Sequence, residues 1–133
     1  MIDKELLKIA SNTENVGAID KYTHFSKLKN PICGDEMKIY LIIERNKILK
    51  FKYHCQSCIF CQASVSLLSR KAINKSVENV NNFLQKAEDY FKQKKHIFDK
   101  DWKEFDKIMN KKNISRKECL LLPLKATINA LNS

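Results

Sequence analysis

A chain of 133 residues with 44% hydrophobic content can bury one core and leaves little room for a second, so a single domain spanning 1–133 is expected. Its formal charge of +10 comes from 22 Lys and only three Arg (Arg45, Arg70, Arg116) against 15 acids. The Lys are scattered beside many Asn and Ile, a bias that A/T-rich codons produce, so nucleic acid is not an expected partner.

The start, Met1-Ile2-Asp3-Lys4-Glu5, lacks the basic and then apolar pattern of a signal peptide. No apolar run approaches the ~20 residues of a membrane span. A cytoplasmic location is therefore expected, and the five Cys point to metal or thiol chemistry rather than to a disulfide framework. Residues 4–10 have the spacing of a short amphipathic helix, with Leu6, Leu7 and Ile9 on its apolar side. Residues 11–29 are polar and irregular and are expected to form a loop over the domain. Residues 37–44 and 48–54 alternate β-branched and aromatic side chains about Arg45-Asn46-Lys47, the signature of an antiparallel hairpin. Ile39, Leu41 and Ile43 would share one face, and Leu49, Phe51 and Tyr53 would line one face of the partner strand.

From Cys58 onward the period turns helical. Ala63, Leu67 and Leu68 recur near 3.6, with Ser64 and Ser66 between them. Residues 76–92 form a second helical pattern that Ser76 can cap, with Val77, Val80, Phe83, Leu84, Ala87 and Phe91 on one side. Residues 99–110 are helical and polar, with Trp102, Phe105 and Ile108 buried. Ser115 is the expected cap of a last helix running to Leu131, with Pro123 tolerated in its first turns. The expected class is α+β: a small antiparallel sheet in the N-terminal half packed against C-terminal helices.

Three short motifs carry chemistry. Pro31-Ile32-Cys33-Gly34-Asp35 places a thiolate and a carboxylate on either side of a Gly that permits a tight bend, a sulfur–oxygen pair suited to zinc. Cys55-Gln56-Ser57-Cys58-Ile59-Phe60-Cys61 spaces three thiols by three at a strand-to-helix junction, where the first helical amides stabilise a thiolate. That run lacks the fourth Cys of a ferredoxin motif and the second Cys-x-x-Cys pair of a zinc ribbon, so at least one of the three is read as ligand or nucleophile and the others as packed thiols. His54 adjoins it and is read as a partly exposed strand-end side chain; His24 and His96 have no matching partners. In Arg116-Lys117-Glu118-Cys119, the helix start and two cations are expected to lower the Cys119 pKa.

Taken in order, these motifs resemble those of the U-type iron–sulfur cluster assembly scaffolds, the SufU, IscU and NifU N-terminal family. The matching residues are Asn30-Pro31-Ile32-Cys33-Gly34-Asp35, Cys58 five residues before Ala63-Ser64-Val65-Ser66, and Arg116 three residues before Cys119. Asn12-Thr13-Glu14-Asn15-Val16-Gly17 is similar to a further family stretch, with Thr13 in place of its Pro. The interval of 61 positions between Cys58 and Cys119, and Glu118 where shorter members carry a His, resemble the SufU branch. Ser57 stands where the family usually has Gly.

The resemblance implies a SufE/NifU-like fold and a metal site of Cys33, Asp35, Cys58 and Cys119, holding zinc or a transient [2Fe–2S] cluster. It implies sulfur taken from a SufS-like cysteine desulfurase, with Cys33 or Cys119 as attacking thiol, and delivery to iron–sulfur recipient proteins. Cys55 and Cys61 stand close enough in sequence to replace Cys58. The contrasting reading is a structural zinc-binding interaction domain, on nucleic acid for example; whether to class a regenerated sulfur acceptor as an enzyme is a matter of convention.

Overall fold

The computed structural model describes residues 3–31, 34–93 and 98–133. Helix α1 (Lys4–Ser11) begins where the Asp3 carboxylate accepts the Leu6 N–H at 2.8 Å, satisfying one of the amides a helix start leaves unpaired. Leu6 and Ile9 are buried as their spacing requires, whereas Leu7 is 49% exposed. Adjacent residues on a helix point about 100° apart, and Ala10 completes the buried stripe instead.

The stretch 11–29 is not all loop. Its end forms β1 (His24–Lys29), antiparallel to β2 (Glu36–Glu44), which pairs in turn with β3 (Lys47–Gln56); the sheet order is β1-β2-β3. Strand β1 is inconspicuous in sequence because the residue at its buried centre is Ser26, which tolerates burial by donating its hydroxyl to the Ala126 carbonyl.

The β2–β3 hairpin matches expectation. Arg45 and Asn46 both take positive φ (51° and 62°), in the mirror-image turn whose twist suits flanking strands. A bulge at Ile42/Ile43 then shifts the register. Ile48, not Leu49, enters the core and Leu49 is left 39% exposed, while Met37, Ile39, Leu41, Phe51 and Tyr53 are buried. Ile43, beside the bulge, is only partly covered.

The helices cover the inner face of this sheet. Helix α2 (Ile59–Ala72) is buried on nearly every side, and its serines stand in the core. Each hydroxyl donates to a carbonyl: Ser64 to Leu120 at 2.7 Å, Ser66 to Asn12 at 2.7 Å, and Ser69 to Ser66 at 2.8 Å. Helix α3 (Val77–Gln93) is capped as expected by Ser76, whose hydroxyl accepts the Asn79 N–H at 3.0 Å.

The helical stretch expected over 99–110 is a 3₁₀ segment, Lys100–Lys107. Its apolar side chains are buried as expected, and Trp102 stacks on Phe83 at 4.0 Å while its Nε1–H reaches Asn79 Oδ1 at 2.9 Å. A second 3₁₀ segment, Lys111–Arg116, contains Ser115, so Arg116 and not Ser115 occupies the cap position of α4 (Lys117–Leu131). Pro123 is the seventh residue of α4, deeper than expected. Its missing N–H leaves the Cys119 carbonyl without a helical partner.

Candidate metal centre

Asp35, Cys58 and Cys119, separated widely in sequence, offer ligand atoms that all lie within 4.8 Å of one another. Each arrives on a different element. Asp35 ends the β1–β2 connection, where the Gly34 N–H donates to the Asn30 carbonyl and the Asn30 N–H to the Asp35 carbonyl, both at 2.8 Å. Gly34 sits at φ 77°, the left-handed conformation for which Gly is suited, so the bend read from the sequence is present. Cys33 and Ile32 lie outside the described residues.

Cys58 occupies the cap position of α2 with extended backbone, and Cys119 lies in the first turn of α4. The two helices are held in register at two points. The Arg116 guanidinium lies over the Phe60 ring at 4.9 Å, and four residues further along each helix Ser64 donates to Leu120. Equal steps along both helices mean that α2 and α4 run side by side in the same direction, so both N-termini point toward the thiols. Their amide dipoles favour negative charge there.

Burial opposes that charge. The Cys119 thiol is pushed up to about 12, chiefly by desolvation and then by its contact with Cys58; Arg116 pulls the other way and does not prevail, and Asp35 adds to the rise. The expected lowering by Arg116 and the helix start is thus reversed in the metal-free chain. Cys55 is raised by burial and by the neighbouring Asp35 and Cys58, and Cys61, fully buried, is raised further by burial. A thiol in such surroundings ionises when a cation compensates the charge.

The donors fit a metal. Asp35 Oδ2 is buried with no hydrogen-bond partner among the described residues, an arrangement that is costly unless a cation or donor answers it. Two sulfurs and a carboxylate oxygen suit zinc or iron.

The profile of the NifU-like N-terminal domain matches residues 1–100. The chain belongs to that family. Cys119 lies beyond the matched stretch and joins the group through the packing of α4 on α2. Over 88 residues the chain is 31% identical to an iron–sulfur cluster assembly scaffold protein IscU of Thermotoga maritima, covering 66% of this chain and 62% of that one; the chain thus spans less than two thirds of this curated relative. A solved NifU-like N-terminal protein from Brucella abortus superposes with a TM-score of 0.90 at 17% identity, over 98% of this chain and 91% of that one. A candidate SUF-system scaffold from Fervidobacterium islandicum does so with a TM-score of 0.83 at 24% identity, over 98% and 96%. These likenesses establish the α+β fold.

Of the three clustered cysteines, the structure brings Cys58 alone into the group with Asp35 and Cys119; among the described residues Cys55 and Cys61 join no such set. Cys61 packs in the core and Cys55 remains half-buried on β3. His54 is exposed on β3 and His24 bonds Thr23 Oγ1 at 2.8 Å; His96 lies outside the described residues. Glu118 is exposed and pairs with Lys125 at 3.8 Å, away from any ligand role. The 12–17 stretch, marked in sequence only by its family resemblance, docks on α2 and β3: Asn15 Nδ2 donates to Ser69 Oγ at 3.0 Å and the Gly17 N–H to the Tyr53 carbonyl at 2.8 Å.

Proposed function

We propose that the chain is an iron–sulfur cluster assembly scaffold, with residues 1–133 acting as one domain and Asp35, Cys58, Cys119 and Cys33 as the ligands of its cargo. The observation that carries this reading is the convergence of Asp35, Cys58 and Cys119 within 4.8 Å, with a buried carboxylate oxygen that has no partner among the described residues. Family membership supports it, as does the curated name of the Thermotoga relative.

The sulfur comes from the persulfide of a pyridoxal-phosphate cysteine desulfurase. A thiolate of the scaffold, Cys33 or Cys119, attacks the terminal sulfur. The donor's S–S bond breaks, a new S–S bond forms on the scaffold, and the donor cysteine leaves as thiolate. A zinc ion in the same ligand set would order the side chains and hold thiols as thiolates. A hard carboxylate beside soft thiolates makes Asp35 the ligand most readily exchanged, which suits delivery to recipient proteins. The 61-position interval and Glu118 support a SufU-like variant of this chemistry. Cys55, Cys58, Cys61 and Cys119 are free thiols, which fits a reducing cytoplasm.

The test is transfer of labelled sulfur. Incubation with a cysteine desulfurase and ³⁵S-cysteine should label the chain in a reductant-sensitive form, and Cys33→Ser with Cys119→Ser should abolish labelling. A chain that binds zinc yet never takes up sulfur is a structural zinc domain instead.

A further inference from the structure

The fold sets Lys27, Lys29, Lys38, Lys50 and Lys52, distant in sequence, on one face of the sheet. With Met37, Ile39 and Leu41 directed at the helices, the alternate residues of every strand form the other face of the sheet. Among the described residues no helix packs on that face. One row across it is Lys27, Lys38 and His54; the next is Phe25, Tyr40 and Lys52; beyond them Lys50 lies opposite Ile42. Lys29, Glu36 and Gln56 form a further row; Glu36 and Glu44 are the acids of this face, Glu36 pairing with Lys27 at 3.8 Å and Glu44 lying opposite Lys47. Elsewhere, residues 99–107 alternate in sign, while residues 111–117 carry Lys111, Lys112, Arg116 and Lys117 without an acid.

Two features of this face are unfavourable for an isolated protein. Lys27 and Lys38 are direct cross-strand partners, a like-charge pairing that Glu36 offsets on the Lys27 side only. Beside them, Tyr22, Phe25 and Tyr40 form a cluster with ring centroids 5.1–5.9 Å apart, and Tyr22 is 47% exposed. Cations that repel one another and rings open to solvent are both relieved by the same kind of ligand, one carrying regularly spaced negative charge and flat apolar faces.

We propose that the open face of the β1-β2-β3 sheet binds single-stranded nucleic acid, with its lysines on phosphates and the Tyr22–Phe25–Tyr40 cluster against bases. An open antiparallel sheet bearing aromatic rings among cations is suited to strands whose bases are unstacked. With Lys in place of Arg, the face supplies point charges without a guanidinium fork, so binding is indifferent to sequence. An acidic peptide would answer the lysines and leave the rings unused. This surface is separate from the Asp35–Cys58–Cys119 group, and the proposal stands whether or not that group assembles clusters.

The experiment is fluorescence anisotropy of labelled oligo(dT) with the full chain over a range of salt. Four engaged lysines predict a slope of log K against log[salt] of about −2.8. Lys38→Glu/Lys50→Glu should weaken binding by at least ~10-fold at fixed salt and flatten the slope by about 1.4. Lys103→Glu/Lys111→Glu changes the net charge equally, from +10 to +6, at exposed positions off the sheet, and should stay within about twofold of wild type. Tyr22→Ala should lower affinity without changing the slope. Equal losses from the two charge-reversed pairs would reduce the effect to net charge and overturn the proposal. So would absence of oligo(dT) binding at low salt, preference for duplex over single strand, or displacement of oligo(dT) by phosphatidylserine vesicles or polyglutamate at matched charge. Circular dichroism of each variant separates lost binding from lost fold, and if Lys38→Glu unfolds, Lys50→Glu/Lys52→Glu carries the same comparison.

Discussion

Replacing Ser64 by Ala removes one oxygen atom from the centre of the molecule and tests how the site is held. Ser64 is fully buried, and its hydroxyl donates to Leu120 at 2.7 Å, one residue beyond Cys119. The Leu120 carbonyl keeps its helical bond within α4, so loss of this second hydrogen bond costs about 0.5–1.5 kcal/mol. For a chain of this length that corresponds to a fall in Tm of roughly 2–5 °C. If the bridge also keeps α2 and α4 in register, part of the same energy appears in metal binding. Zinc affinity, measured by competition with a chromophoric chelator at a temperature where both proteins are folded, should fall by up to about tenfold. Cobalt(II) substituted at the site should show weaker thiolate charge-transfer absorbance per metal. A lower Tm with unchanged zinc affinity and unchanged cobalt spectrum would refute the alignment role.

The remaining predictions follow from individual side chains. Because the folded chain holds Cys119 neutral up to about 12 while an unfolded thiol ionises near 9.0, the metal-free protein should keep its full stability below pH 9 and lose part of it as pH rises from 9 toward 12; urea midpoints should fall less with pH in Cys119→Ser. The same bound proton makes zinc affinity rise with pH, by about tenfold per unit for each proton displaced, as chelator competition at pH 6.5 and 7.5 would show. Trp102→Ala removes a ring stacked on Phe83 at 4.0 Å and the hydrogen bond to Asn79, and should cost about 3–5 kcal/mol in chemical denaturation. Arg45→Asn with Asn46→Gly suits the two positive φ angles of the hairpin turn and should raise stability by roughly 0.5–1 kcal/mol.

Much of this architecture was legible wherever a single local rule decides the outcome. The hairpin shows itself by alternation, the start of α3 by Ser76, and the buried sides of α3 and the 3₁₀ segment by period, while α1 buries Leu6 and Ile9 but leaves Leu7 exposed. Sequence reasoning failed where a long-range contact overrides the local pattern. Ser26 makes β1 look like loop because its partner, the Ala126 carbonyl, is 100 residues away. One bulge exchanges Ile48 for Leu49 in the core, and a strictly alternating reading cannot anticipate the extra residue.

The site divides in the same way. Asp35, Cys58 and Cys119 stand out by motif order, and among the described residues the fold groups Cys58, and neither Cys55 nor Cys61, with Asp35 and Cys119. The ionisation of Cys119 was misjudged because its flanking cations are visible in sequence, whereas the burial and the Cys58 contact that outweigh them are products of folding. The sheet's charged face was missed for the same reason, since β1 was not recognised as its third strand.

The central proposal is that Asp35, Cys58 and Cys119, and not Cys55 or Cys61, hold the cargo of the proposed scaffold. The most direct measurement is iron, sulfide and zinc per chain after anaerobic reconstitution with cysteine desulfurase, cysteine and iron(II), comparing Cys58→Ser, Cys55→Ser and Cys61→Ser with wild type. The account predicts that Cys58→Ser alone loses the bound metal and sulfide while the other two retain it. Full retention in Cys58→Ser, or loss in Cys55→Ser with the fold intact, would contradict it.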